Sequence, residues 1–237
     1  MIPSFPVYLF DVDGTLVDSQ YDICGAIQEV LAATPQKDVE HAFLRRYIGR
    51  HLLDLFHDLF PAYSAAEIED LIVHYRRCYP LRQHRMTKRY QGVEEALQRL
   101  RGRKSTATTK GTPTTRAVLE LFGLLPYFDH VQGTDGFPAK PEPDVIFTAL
   151  QALDAKPQDC LFVGDSAADM EAGHRAGVKT CAVLYGYGQR DHLAKWNPDY
   201  WITDLRQLCS GTPLSTVAEV HQPAQPDQSG DEVAERA

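Results

Sequence analysis

Two aspartates one residue apart follow the first apolar run of the chain. In the stretch YLFDVDGTLVDS, Asp11 and Asp13 come directly after Tyr8, Leu9 and Phe10. Strand geometry turns alternate residues to the same side, so both carboxylates face one way. Neighbouring carboxylates repel each other, which predicts a cationic group between them and whatever they face. Turn formation is the alternative interpretation, because Asp and Gly are common turn residues.

Three further segments place reactive side chains where other candidate strands end. Thr108, Thr109 and Lys110 come at the end of STAT (105–108), Lys140 lies in a loop after a candidate strand around Val131, and Asp165 and Asp169 follow CLFVG (160–164). Ligands of open α/β sheets bind beyond the carboxyl ends of the strands, so these groups should meet there. Carboxylates beside a hydroxyl and a lysine suit a hard divalent cation bound to a phosphate, with Mg²⁺ the natural candidate.

Each of these residues also has a purely structural interpretation. Ser166 and Asp169 have the spacing of a capping box and could simply begin a helix. Lys140 could be a solvated lysine of a proline-rich loop, and Thr108 could merely end a strand. The case for function therefore depends on the four segments together.

Strand-like and helix-like patterns alternate along most of the chain. The helical stripes include Val93 to Leu100, Val118 to Phe122 and Ile146 to Leu153. This alternation predicts an α/β fold with a parallel sheet covered on both faces. The strand in RGRKSTATT is unusually polar, which predicts a short or partly exposed strand.

Residues 18–85 break the alternation because they contain no strand signal. Two capping-box spacings, at Ser19 with Asp22 and at Ser64 with Glu67, precede helical apolar stripes. The segment is too long for a crossover loop, so we interpret it as a helical insert packed over the sheet.

Composition excludes several classes of function. The 237 residues carry a formal net charge of −8, which gives no electrostatic case for nucleic acid or an acidic membrane surface as a partner. No apolar run approaches the roughly 20 residues of a membrane span, and the N-terminus has no secretory signal pattern. The five scattered cysteines indicate a reduced, cytoplasmic protein. Residues 210–237 are acidic and rich in Pro, Gln and Ser, which predicts disorder.

The four reactive segments resemble, in this order, the four motifs of the haloacid dehalogenase-like superfamily of phosphatases. The matching residues are DVDGT at 11–15, the strand-end Thr108, Lys140 before a proline, and GDSAAD at 164–169. The resemblance implies a Rossmann-like parallel-sheet core at 1–17 and 86–209. The insert at 18–85 lies where class 1 members of that superfamily carry a helical cap.

The resemblance also implies a mechanism. Asp11 would attack phosphorus and form an aspartyl-phosphate, while Asp13 would first protonate the leaving group and then deprotonate water. Asp11, Asp165 and the backbone carbonyl of Asp13 would hold Mg²⁺. Thr108 and Lys140 would complete the catalytic set. The remaining expected site residues are those contacting the substrate (Gly14, Thr109 and Arg50, with Thr108 and Lys140) and those supporting the site (Ser166 and Asp169).

Three stretches are similar to phosphoglycolate phosphatases: the Thr-Thr-Lys at 108–110, YGYG at 185–188, and RRYIGRHLLDLF in the insert. A turn at Gly49 would leave Arg50 or His51 facing the site, where an arginine suits a small carboxylate. The alternative is a helix end at Gly49 followed by a surface arginine. Thr109 stands where relatives often carry Asn.

A phosphatase acting on 2-phosphoglycolate, a small phosphorylated metabolite, is therefore the leading hypothesis. The alternatives are a phosphomutase of the β-phosphoglucomutase type, and a pyrophosphatase or sugar or nucleotide phosphatase. Asp13 argues against a dehalogenase. A phosphonatase would need a lysine in the insert, where the only one, Lys37, lies beside a Pro-Gln turn. A binding protein without activity is disfavoured because Asp11, Asp13, Lys140 and Asp165 are all present.

Overall fold

A five-stranded parallel sheet forms the centre of the molecule. The structure is a computed structural model and describes residues 1–209. Its strands are β1 (Val7–Phe10), β2 (Val17–Asp18), β3 (Lys88–Arg89), β4 (Arg103–Thr106), β5 (Cys160–Gly164), β6 (Lys179–Val183) and β7 (Tyr200–Ile202). The sheet order is β4-β1-β5-β6-β7, with parallel pairing throughout, and β2 and β3 form a separate antiparallel pair. The predicted α/β fold with a parallel sheet is confirmed.

The position of each strand in the sheet explains its composition. The central strands β1 and β5 are buried along their whole length, which suits their apolar sequences. The polar strand β4 lies at the sheet edge and begins with an exposed Arg103. The strand predicted around Val131 is wrong: that segment makes only one isolated bridge, between His130 and Ser105 of β4.

Helices cover both faces of the sheet. They are α5 (Val93–Arg99), α6 (Thr112–Leu121), α7 (Asp144–Ala152), α8 (Ala167–Ala176) and α9 (Arg190–Ala194). Tyr8 and Phe10 of β1 belong to the apolar cluster that includes α5 and α6 residues. Val7 and Leu9 belong to the cluster that includes α7 and α8 residues. Alternate side chains of one strand therefore build the two layers.

Residues 20–81, which we call the helical segment, have a hydrophobic core of their own. The helices are α1 (Gln20–Leu31), α2 (His41–Arg45), α3 (Leu52–Leu59) and α4 (Ala65–Leu81). The capping box predicted at Ser64 and Glu67 is confirmed. The one predicted at Ser19 and Asp22 is wrong, because the Ser19 hydroxyl donates to Asp13 at 2.6 Å while Asp22 accepts from Thr87 at 2.7 Å. For these two buried side chains, tertiary partners replace the local cap.

The β2–β3 pair joins the two chain segments that enter and leave the helical segment. Val17 lies opposite Arg89, and Asp18 lies opposite Lys88. The division of the chain at residues 18 and 85 stays a prediction. The predicted disorder of residues 210–237 falls outside the described part of the chain. Within residues 1–209, no helix is both long and apolar enough to span a membrane.

Candidate active site

Asp11 lies at the carboxyl end of β1, in the middle of the sheet edge where functional groups were expected. Its backbone N–H donates to Val163 O at 2.9 Å, which fixes it beside the end of β5. Only 1% of the residue is exposed. Its Oδ1 accepts a hydrogen bond from Lys140 Nζ at 2.8 Å, whereas its buried Oδ2 has no partner among the described residues. A buried carboxylate oxygen without a partner needs a cation or another donor.

Lys140 brings a positive charge into this buried acidic centre. Its ammonium donates to Asp11 Oδ1 at 2.8 Å, to Asp169 Oδ1 at 2.5 Å and to Ala107 O at 3.1 Å. Burial alone would lower the pKa of Lys140, but the two carboxylates raise it overall, so the side chain stays charged. The loop position therefore does not make Lys140 a solvated surface residue.

Asp165 follows β5 and packs against the turn after β1. Its Oδ1 accepts from the Thr15 hydroxyl at 3.0 Å, and its Oδ2 accepts from the Tyr187 backbone N–H at 2.8 Å. Burial, followed by the nearby charges of Asp169 and Asp11, raises the pKa of Asp165 well above its usual range. Burial is also the main cause of the raised pKa of Asp11.

Gly14 allows this close approach of the turn to Asp165. Its φ is +90°, and a Cβ at this position would lie 2.3 Å from Asp165 Oδ2. The Gly14 N–H, expected near a phosphoryl oxygen, donates to Val17 O at 2.8 Å. The structure thus gives Gly14 a clear role in packing the turn.

Asp169 and Ser166 begin α8 with a reciprocal capping box. Asp169 Oδ2 accepts from the Ser166 N–H at 2.8 Å and from its hydroxyl at 2.6 Å. Because Asp169 Oδ1 accepts from Lys140, one carboxylate both caps the helix and positions the lysine. The predicted helix cap is confirmed, and the support of a catalytic site by Asp169 and Ser166 stays a prediction.

Three buried carboxylates lie close enough to share a cation. Asp11, Asp165 and Asp169 each present an oxygen, and these oxygens lie within 4.8 Å of one another. Together with the unpartnered Asp11 Oδ2, this all-oxygen donor set fits a hard divalent ion. Asp165 and Asp169 each use both carboxylate oxygens in hydrogen bonds, so Asp11 Oδ2 is the one oxygen of these three side chains without a partner.

Asp13 lies beside this cluster and carries two strong contacts. Its Oδ1 accepts from the Ser19 hydroxyl at 2.6 Å, and its Oδ2 lies 3.1 Å from Lys110 Nζ. Lys110 also donates to the Tyr79 hydroxyl of α4 at 3.0 Å. Lys110 belongs to the Thr-Thr-Lys stretch at 108–110 but is not among the site residues predicted from the sequence. Its position after the β4 segment was the available signal.

The β4 end brings Thr108 and Thr109 towards the same region. Phe10 pairs with Thr106 and Ala107 N donates to Phe10 O at 2.8 Å, so Thr108 lies just beyond the β4 end, close to the residues that follow β1. Thr108 is 1% exposed, and its hydroxyl accepts from the Lys110 N–H at 3.4 Å. Thr109 instead lines a cavity beside Asp13.

Two cavities flank the buried centre, between the helical segment and the sheet. The first, of about 430 Å³, is bordered by Asp13, Thr109 and Lys110. The second, of about 700 Å³, is bordered by Lys140 and Ser166. The loop at Gly49 is shared by both, since Ile48 and Arg50 line the two cavities and a Cβ on Gly49 would lie 3.2 Å from Ser166. We call these the Asp13 cavity and the Lys140 cavity.

Arg50 borders both cavities, but its partners lie outside the buried carboxylate cluster. It is paired with Asp54 at 3.5 Å, and its guanidinium lies 4.7 Å from the centroid of the Tyr47 ring. His51, the other residue expected at this turn, caps α3 by accepting from the Leu53 N–H at 3.1 Å. The described structure therefore leaves the substrate contact of Arg50 as a prediction.

The fold is a parallel α/β sheet that carries a buried aspartate, Asp11, at the carboxyl end of β1. Residues 8–183 match the model of the haloacid dehalogenase-like hydrolase family. The chain therefore belongs to this family, as its four motifs predicted.

Individual relatives agree with this assignment. The chain is 32% identical over 204 residues to a protein named pyrophosphatase PpaX from Bacillus thuringiensis (strain Al Hakam), covering 84% of this chain and 93% of the relative. Among solved structures, a predicted phosphatase from Clostridium acetobutylicum is 26% identical with a TM-score of 0.81, covering 87% of this chain and 97% of that one. A predicted phosphoglycolate phosphatase from Haemophilus somnus is 24% identical with a TM-score of 0.76, covering 88% and 98%, and shows the shared fold alone.

Proposed function

We propose that the protein is a Mg²⁺-dependent phosphatase that hydrolyses a small phosphorylated metabolite through an aspartyl-phosphate on Asp11. The observation that carries this proposal is the Asp11 carboxylate itself. It is buried at a strand end, with one oxygen on Lys140 and the other without a partner. A carboxylate held in this way is positioned as a nucleophile rather than as a surface charge.

In the first half of the reaction, Asp11 attacks phosphorus and the bond from phosphorus to the leaving oxygen breaks. Asp13, as the acid, gives its proton to that oxygen, so the oxygen departs as a hydroxyl group rather than as an oxyanion. In the second half, Asp13 takes a proton from a water molecule that attacks the phosphorus of the aspartyl-phosphate. The bond from phosphorus to Asp11 then breaks, which restores the carboxylate and releases orthophosphate.

Charge neutralisation is the main electrostatic requirement of this reaction, because a carboxylate must approach a phosphate dianion. Lys140 supplies one positive charge directly beside Asp11. Asp11, Asp165 and the backbone carbonyl of Asp13 would hold Mg²⁺, which supplies the further positive charge when bound. Thr108 and the backbone near Gly14 would contact the phosphoryl oxygens, and Thr109 would contact the substrate near its leaving group.

We propose 2-phosphoglycolate as the substrate because its phosphate and carboxylate match the cations around the Asp13 cavity. Lys110 lies beside Asp13, and Arg50 borders the same space. Pyrophosphate is a second candidate, supported by the name of the 32% identical relatives. Both compounds carry a negative charge on the leaving group.

Turnover also requires the helical segment to move away from the sheet, so that substrate can enter. Asp11 and Thr108 are each only 1% exposed, so no phosphate ester reaches them in the described arrangement. We propose that the helical segment opens around residues 17–19 and 84–88, next to the β2–β3 pair.

The test is phosphate release from a panel of 2-phosphoglycolate, pyrophosphate, sugar phosphates and nucleotides. The protein is assayed with Mg²⁺, with EDTA and as the Asp11→Asn variant, beside Asp159→Asn as an exposed control aspartate. We expect release that needs Mg²⁺, disappears in Asp11→Asn and persists in Asp159→Asn. Release that survives Asp11→Asn, or its absence from every compound with folded, Mg²⁺-loaded protein, would contradict the proposal.

A further inference from the structure

We propose that Lys110 selects phosphates whose leaving group is negatively charged, by exchanging its bond to Asp13 for a bond to the substrate's second anion. This inference rests on the proposed phosphatase function and specifies the substrate class of the same site. Lys110 would act as a specificity residue on the leaving-group side of the reaction.

Lys110 is a buried cation whose position is fixed on two sides. Its side chain is 9% exposed and lies 3.1 Å from Asp13 Oδ2. It also donates to the Tyr79 hydroxyl at 3.0 Å. Burying an ammonium costs several kcal/mol unless partners compensate for the lost hydration. A charge kept in such a place, at the wall of a cavity, is suited to binding an anion there.

The bonds of Asp13 show why this exchange bears on catalysis. Its Oδ1 accepts from Ser19 and its Oδ2 is paired with Lys110, so neither carboxylate oxygen is free of a strong donor. An acid at this position needs one oxygen within reach of the leaving group. Lys110 and Asp13 both border the Asp13 cavity, so the Oδ2 contact is the one that an incoming anion meets. A carboxylate or second phosphate that binds Lys110 would release Oδ2 towards the leaving oxygen.

The other cations around this cavity differ from Lys110 in that their side chains are largely exposed to solvent. Arg50 is paired with Asp54 and has a side chain that is 45% exposed. Arg76 is paired with Glu69 and has a side chain that is 64% exposed. Much of the remaining wall is apolar or aromatic, formed by Ile23, Ile27, Ile48, Leu52, Leu55, Ile72 and Tyr75. A substrate anion therefore finds its buried charge partner in Lys110.

The experiment compares two esters that differ mainly in one charge. These are 2-phosphoglycolate and 2-hydroxyethyl phosphate, in which a hydroxymethyl group replaces the carboxylate. We measure kcat and KM for both with the wild type and with Lys110→Met and Lys110→Arg. Arg76→Met is the matched control, since it removes an exposed, paired cation from the same cavity wall. Thermal melting verifies that each variant is folded.

We expect the wild type to prefer 2-phosphoglycolate over 2-hydroxyethyl phosphate by at least about tenfold in kcat/KM. The uncharged ester lacks one charged hydrogen bond to Lys110, and such a bond of about 1.4 kcal/mol or more corresponds to this factor. In Lys110→Met this ratio should fall to within about threefold, while Lys110→Arg and Arg76→Met should retain most of it. The change should include kcat for 2-phosphoglycolate, because the acid is released only when the anion binds.

Two results would overturn the inference. The first is a wild type without preference for the charged ester, and the second is a Lys110→Met variant that keeps the wild-type ratio of kcat/KM, including one that loses the same factor on both esters. The first result needs no variant to fold. Failure of the proposed function looks different, since it would remove Mg²⁺-dependent release from both esters in the wild type.

Discussion

Replacing Lys140 with methionine should both stop turnover and strongly destabilise the protein. The lysine side chain is completely buried, and its ammonium bonds to two carboxylates that are themselves almost fully buried. Methionine fills a similar volume but leaves the charges of Asp11 and Asp169 without their cation. Removing one member of a buried ion pair is costly because the other member stays desolvated.

The two contacts allow the size of this effect to be worked out. The ammonium lies 2.8 Å from Asp11 Oδ1 and 2.5 Å from Asp169 Oδ1. Hydrogen bonds to charged groups contribute about 1.5–3 kcal/mol each, so two of them give about 3–6 kcal/mol. Breaking a buried pair typically costs about 3–5 kcal/mol, which agrees with that range. For a chain of this size the melting temperature should fall by roughly 6–20 °C.

Urea unfolding followed by circular dichroism, with EDTA present, measures the change in the free energy of unfolding. Lys179→Met is the matched control, because Lys179 lies 2.6 Å from Asp199 but its side chain is 54% exposed. We expect the control to lose less than about 1 kcal/mol. Adding Asp169→Asn to Lys140→Met should recover about 1–3 kcal/mol, because one unpaired charge is removed while an amide oxygen can still accept from Ser166. A Lys140→Met loss no larger than that of Lys179→Met would refute the reasoning.

Three further outcomes follow from other parts of the structure. Gly186→Ala should weaken Mg²⁺ binding about tenfold or more by calorimetry, because a Cβ there would lie 2.3 Å from Asp165 Cβ; unchanged affinity would contradict this packing argument. Ser64→Ala should cost about 1 kcal/mol in urea through the lost helix cap, with kcat/KM unchanged; a larger loss of activity than of stability would contradict a purely capping role. Burial would raise the pKa of Asp199, but Lys179 lowers it overall, so Asp199 stabilises the fold above about pH 4 and loses this effect as the pH falls. The melting temperature should therefore fall less on acidification in Asp199→Asn than in the wild type. An equal fall in both proteins would contradict this role of Asp199.

The residues around Asp11 could be predicted from the sequence because their signals are local. The apolar run of β1 and the turn after it lie within eight consecutive residues. Asp165 likewise directly follows the apolar run of β5. Parallel pairing then brings both strand ends together without further information. The structure agrees with this placement of the carboxylates.

Contacts that depend on how the helical segment docks could not be predicted in the same way. Lys110 meets Tyr79, 31 residues away, only when α4 lies over the β4 end. Ser19 with Asp22 and Ser64 with Glu67 share one spacing, yet only the second pair forms a capping box. Ser64 and Glu67 are exposed and have no tertiary competitor, whereas Ser19 and Asp22 are buried beside Asp13 and Thr87.

The short β2–β3 pair means that the chain returns to the place from which it left. Asp18 and Lys88 are direct neighbours across the ladder, although 69 residues of sequence lie between them. The register of the five-stranded sheet is therefore insensitive to the length of what is inserted there. A two-residue hairpin turn could in principle link these strands. The ladder thus gives the fold a modular junction, at which whole helices can be exchanged or lengthened while the strands of the main sheet keep their alignment.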